Sequence, residues 1–177
     1  MTRRRWWVLA LCAVLLVLLG AWWLRGAGSG GARRVPAGML AVQWSGTRRG
    51  VATLPAKVSW CPVNRTGVVE AIVGDTGVAV VLYEDNALTA GTHPVVPPSG
   101  TAPPVRPAAS VVMRWPPDTS VLLGFTSLSG EVVLRPAGQR LSGTLRLRMH
   151  GSLAGDSLTL SGRFVDLPVV TMAVGCP

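Results

Sequence analysis

Residues Trp6 to Leu24 form an unbroken apolar run of 19 residues, with Arg3, Arg4 and Arg5 directly before it. As a helix at about 1.5 Å per residue, such a run is about 28 Å long, close to one hydrocarbon core. Trp6 and Trp7 open the run, and Trp22 and Trp23 close it. Indole pairs would then lie at both interfaces, where a ring with one polar edge is best solvated. The sequence therefore predicts a lipid-bilayer span through residues 6–24, with Arg3, Arg4 and Arg5 on the cytoplasmic side. A retained anchor and a cleaved export signal compete for it. The run exceeds the roughly 7 to 15 apolar residues of an export signal. Its nearest small-residue exit, Gly26-Ala27-Gly28, follows bulky Trp22-Trp23-Leu24 and a charge, which favours the anchor.

Three segments follow from this. Residues 1–25 read as a cytoplasmic Arg cluster and signal-anchor helix. Residues 26–37 read as a Gly-rich flexible tether, too short and too poor in large apolar groups to order itself. Residues 38–177 read as an extracytoplasmic β domain with a Pro-rich connection near 92–107. The expected location is the bacterial inner membrane, single-pass, with the N-terminus cytoplasmic and the C-terminal domain periplasmic or extracellular.

The formal charge of the whole chain is +9, but residues 38–177 hold 11 basic against 8 acidic groups, a difference of +3. Six of the nine net charges therefore belong to the leader and tether. With no recognition-helix, zinc-finger or RNA-binding aromatic pattern present, a nucleic-acid partner is not expected.

Within the domain, apolar residues recur with period two. In Leu145-Arg146-Leu147-Arg148-Met149-His150 the apolar side chains point one way and the polar ones the other, as in a strand with one wet face. Leu158 to Phe164 repeats the pattern after a Gly-rich turn, predicting a hairpin. Val68 to Val73 and Val78 to Tyr83 flank Gly74-Asp75, and the second run is apolar on both faces, which predicts cover on both sides. Further strands are expected at Leu40–Trp44, Gly50–Leu54, Ala56–Trp60, Val111–Trp115, Val121–Phe125 and Glu131–Arg135. The whole chain has 21 Gly and 14 Pro among its 177 residues, which suits many short elements joined by turns. The fold class is all-β: an antiparallel β-sandwich or small β-barrel-like domain of about eight to ten strands, preceded by one N-terminal transmembrane helix. The tract Thr92 to Pro107 contains six prolines, which exclude a central strand and favour an extended crossover at the surface or a sheet edge.

Export places Cys61 and Cys176 in an oxidising compartment, where they are expected to form a disulfide fastening the last residues of the sequence to an early strand. Trp44, Trp60 and Trp115 are candidate ligand-facing aromatics, equally suited to an ordinary core. No catalytic, cofactor-binding or metal-ligating motif is present: there is no Gly-rich phosphate loop, Ser-centred elbow or histidine zinc motif. An enzyme reading requires His93 or His150 to reach Glu84, Asp85 or Asp156 in a pocket. The expected function is a membrane-anchored interaction or structural module of the cell envelope, its partner an envelope protein. The alternatives are a β domain binding a small hydrophobic ligand and an envelope enzyme of unknown chemistry.

Overall fold

The computed structural model describes residues 34–98, 104–116, 122–173 and 176. The expectations for Arg3, Arg4, Arg5, Trp6, Trp7, Trp22, Trp23 and the span 6–24 lie outside the described residues. Val35–Pro177 forms one compact unit.

Ten strands are present among the described residues: β1 (Met39–Gly46), β2 (Gly50–Pro55), β3 (Lys57–Cys61), β4 (Thr66–Val73), β5 (Thr76–Tyr83), β6 (Gly91–Pro94), β7 (Ala108–Trp115), β8 (Leu123–Ala137), β9 (Arg140–Gly151) and β10 (Ser157–Thr171). Seven of them close into a barrel in the order β10-β3-β4-β5-β7-β8-β9 and back to β10. Every pairing around the ring is antiparallel except β10 with β3, which is parallel over Val169–Thr171 and Val58–Trp60. Closure of this kind removes edges that would otherwise recruit foreign strands.

Two strands of 15 residues, β8 and β10, make the closure possible by changing partners along their length. The first part of β8 pairs with β7 and its second part with β6, while β9 runs along its other side. The first part of β10 pairs with β1 and its last residues with β3. Each carries a register shift: β8 between Ser127 and Ser129, β10 between Phe164 and Leu167. An extra residue in one strand bends it and sharpens its twist, so the shifts are the corners of the barrel. At the β10 corner Asp166 takes φ +53°, and its N–H is held by the Ser142 hydroxyl at 2.9 Å.

The period-two text becomes inside and outside. Leu141, Leu145, Leu147 and Met149 of β9 are buried, whereas Arg146, Arg148 and His150 are exposed. Phe125, Phe164, Leu40, Leu82, Leu134 and Leu160 fill the same interior from other strands, each at most 1% exposed. Burial of apolar surface on this scale is the main stabilising term of the fold.

The structure departs from the sequence expectation at three places. Of the runs expected at Val121–Phe125 and Glu131–Arg135, Leu123–Phe125 and Glu131–Arg135 belong to one strand, β8, because the bulge and Gly130 bend the chain without ending the ladder. His93 and Pro94 of the Pro-rich tract lie in β6, paired to β8 on one side, which spares the proline from needing a second ladder partner. Val78 to Tyr83 is covered on one side only: Val78, Val80 and Leu82 are buried, while Ala79, Val81 and Tyr83 stay partly exposed on the outer wall.

Candidate functional site

The strongest polar cluster is at one end of the barrel, where β5 leaves the wall. Glu84 and His93 are each 1% exposed, and His93 Nε2 lies 2.7 Å from Glu84 Oε1. The same carboxylate accepts the Thr89 amide at 3.1 Å and the Thr89 hydroxyl at 2.8 Å, while His93 Nδ1 is 3.4 Å from the Gly91 carbonyl. The Glu84 backbone is engaged as well: its N–H donates to the Arg65 carbonyl, and its carbonyl accepts from Arg106 Nη1 at 2.7 Å. Arg106 also donates to the Asn64 carbonyl at 3.1 Å. Glu84 thus ties the loop from Glu84 to Ala90 and β6 together through its side chain, and the β3–β4 turn and the end of the Pro-rich crossover through its backbone. These partners compensate the cost of burying its polar atoms.

This geometry meets half of the enzyme requirement: a histidine reaches a carboxylate. General acid–base work also needs one of the pair to touch a substrate proton, and neither side chain has an exposed edge. The arrangement suits a structural clamp. His150, the other histidine, is exposed and faces the Thr126 hydroxyl, with Nε2 at 2.9 Å, and Asp156 lies in the β9–β10 turn. Glu84 and His93 were visible in the sequence, but Thr89 and Arg106 carried no motif to mark them.

The tryptophans separate into two places. Trp44 of β1 and Trp115 of β7 meet edge to face, with ring centroids 5.4 Å apart and planes at 64°. Trp44 is 3% exposed and belongs to the continuous core, while Trp115 packs against that core from a less buried position. A Cβ at Gly50, opposite Trp44 in the β1–β2 ladder, would overlap the indole, so the glycine makes room for the ring. Trp44 Nε1 is buried with no hydrogen-bond partner among the described residues. Trp60 is in β3, one residue before Cys61, away from that pair in the fold. Cys61 and Cys176 form a disulfide with their Cα atoms 5.6 Å apart.

The outer wall of β3, β4, β5 and β7 carries Val68, Ile72, Ala79, Val81 and Val112 outward. Strand register sets Lys57, Glu70, Ala79, Val112, Thr126 and His150 in one line across six strands. Beside it run Ile72, Gly77, Arg114 and Gly124 on one flank and Val68, Val81 and Ser110 on the other. Ala79 in the line, with Gly77 and Gly124 beside it, leaves a shallow groove. Depressions of about 290, 190 and 320 Å³ follow one another along it, sharing Ile72 and then Val112. Its ends are polar, with Lys57 and Glu70 paired at 3.1 Å on one side and Thr126 with His150 on the other. The opposite wall, formed by β8, β9 and β10, carries Arg146, Arg148, Arg163, Ser142, Thr144 and Ser161 outward, with Glu131, Val133 and Leu128 among them. No family model, curated protein or solved structure matches this chain.

Proposed function

We propose that the chain is a membrane-anchored, extracytoplasmic interaction module of the bacterial cell envelope, whose groove on the β4–β5–β7 wall receives a protein partner. The observation that carries this reading is the outward-facing apolar strip of Val68, Ile72, Ala79, Val81 and Val112. These side chains add nothing to the barrel interior, and a contiguous outward-facing apolar surface marks a contact face. The Arg3–Arg5 cluster, the apolar run 6–24 with its flanking Trp pairs, and a disulfide suited to an oxidising compartment support placement outside the cytoplasm on an inner-membrane anchor.

Photo-crosslinking in cells from position 81 or 112 tests the groove. The reading expects a discrete adduct from these positions, none from position 144 on the opposite wall, and loss of the adduct in a Val68→Asp variant that still forms the disulfide. Adducts of equal yield from both walls would overturn it. Mass measurement of the membrane-extracted chain tests the anchor, because cleavage beyond Leu24 would leave no span.

A second reading, a site for a small hydrophobic ligand, is favoured by the buried Trp44 Nε1, a donor without a partner among the described residues beside the Trp115 ring. Such a donor suits a ligand with one acceptor atom on an apolar body. Titration with lipid-like carbonyl compounds should shift Trp fluorescence in the native chain and leave a Trp44→Phe variant unresponsive. A response unchanged by that substitution would exclude this site.

A further inference from the structure

We propose that the second wall of the barrel, formed by β8, β9 and β10, is an electrostatic docking face for the anionic lipid headgroups of the bilayer. The inference rests on the anchor reading above and adds a second, separable contact with the same membrane. It begins from charge segregation. The domain carries only +3, but its charges are not spread evenly. Arg146 and Arg148 of β9 stand on one face two residues apart, and Arg163 of β10 is in register with Thr144, the next outward residue of β9. Arg135 of β8 extends the same wall, and Arg48 and Arg49 occupy the β1–β2 turn beyond its far end. All six are exposed.

The carboxylates on this side are few. Glu131 stands opposite Arg146 in the β8–β9 ladder, Asp166 is 3.8 Å from Arg140, and Asp156 is at the rim in the β9–β10 turn. Seven arginines therefore meet three carboxylates here. The other described residues of the domain hold four basic groups (Lys57, Arg65, Arg106 and Arg114) against four acidic ones (Glu70, Asp75, Glu84 and Asp85). Among the described residues of the domain, the net positive charge therefore belongs to one wall. Guanidinium groups suit phosphate oxygens, and each basic group near an anionic surface adds attraction.

A planar array of headgroups fits this wall better than a single anion does. The outward arginines are spaced along strands of 12 and 15 residues, interleaved with Thr144, Thr159 and Ser161, and do not converge on one point. A depression among them, about 230 Å³, contains Glu131 beside Arg146, a poor seat for a lone phosphate. Val51 of β2, 75% exposed, is in the same cross-strand row as Gln43, Ser161 and Arg146, and offers an apolar contact for the headgroup boundary. On the tether reading of the Gly-rich sequence 26–37, a chain of that length would have an r.m.s. span of about 20 Å and would keep the domain at high effective concentration over the bilayer.

The test uses the full chain in nanodiscs of phosphatidylcholine alone or mixed with phosphatidylglycerol, with a protease site placed in the tether and cut after assembly. The severed domain should remain on phosphatidylglycerol discs, leave them at high salt, and leave phosphatidylcholine discs at once. Arg146→Gln/Arg148→Gln/Arg163→Gln should weaken retention about 100-fold, whereas Arg65→Gln/Arg114→Gln should not change it, with disulfide formation checked by mass in each. Equal retention on both discs, or equal loss in both variants, overturns the docking face. Release from phosphatidylglycerol discs together with capture by soluble polyphosphate overturns it in favour of a polymer partner. A chain that fails to enter discs at all overturns the anchor. The face is then read by spinning that chain with vesicles of the two compositions, where selective, salt-sensitive sedimentation with phosphatidylglycerol supports it and equal behaviour overturns it.

Discussion

Ser127 sits where β8 turns away from β7 and β6 takes its place, a point at which backbone groups lose their ladder partners. Its hydroxyl accepts the Val111 N–H at 3.0 Å and donates to the Val96 carbonyl at 2.9 Å, and the side chain is fully buried. Ser127→Ala leaves a donor and an acceptor dry and unpaired, at a cost of about 2–3 kcal/mol. Urea unfolding of the oxidised chain in detergent, followed by far-UV circular dichroism, measures this directly, and a cost below about 0.5 kcal/mol would show that water or a backbone shift replaces the hydroxyl. Glu84 and His93 pose the same question for a buried pair. His93→Ala strips the Glu84 side chain of its ring partner while the Thr89 donors remain, and leaving a buried polar group short of a partner costs about 1–3 kcal/mol. His93→Gln, which keeps a donor, should cost clearly less in the same assay. Both residues were legible in the sequence as polar groups near a turn. Their pairing was not, because the eight intervening residues leave the direction of each side chain undetermined until β6 docks on β8.

At the scale of elements, local text was enough to recognise most strands: β9 and β10 follow their period-two pattern, β1, β4 and β5 coincide with expected apolar runs, and Gly74-Asp75 makes the β4–β5 turn with Gly74 at φ +56°. What alternation could not express was continuity across an irregularity. A bulge inverts the phase of the pattern, so β8 reads as two short runs around Ser127-Leu128-Ser129-Gly130, and the ladder with β9 is needed to join them. β6 was hidden for a different reason, since prolines argue against strands in general but not against an edge strand paired on one side. Gly130 makes the bend specific. It takes φ +134°, and a Cβ there would overlap the backbone of Arg146 and Leu147 across the ladder. Gly138, in the β8–β9 turn at φ +59°, has nothing within 4 Å of an added Cβ. Gly138→Ala should therefore cost only the left-handed conformation, about 1–2 kcal/mol, whereas Gly130→Ala combines that strain with steric overlap and should cost more. Equal unfolding midpoints for the two variants would mean that the β8 corner is soft enough to move aside.

For the whole molecule, the weakest seam of the barrel is the one place where it closes in parallel. β10 meets β3 over only three register pairs, Val169 with Val58, Val170 with Ser59 and Thr171 with Trp60, continued by the Met172 N–H to the Trp60 carbonyl at 2.8 Å. The β8–β9 and β9–β10 ladders are far longer, and parallel pairing is slightly weaker per residue. The Cys61–Cys176 bridge clamps this seam from its outer end, joining residues 115 apart in sequence. In the chain-entropy account a cross-link of that span stabilises the fold by about 4–5 kcal/mol, and strain or residual denatured-state structure lowers the figure. Reduction should accordingly lower the unfolding temperature by roughly 10–20 °C at this domain size. The loss should also be uneven. Hydrogen exchange on the reduced chain should show the amides of β3 and of Val169 to Met172 losing protection first, while the β8–β9–β10 meander keeps its own, since its contacts do not depend on closure. Protection that fell evenly across β8 and β9 as well would mean that the bridge stabilises the barrel as one cooperative unit, and that the parallel seam is no weaker than the walls it joins.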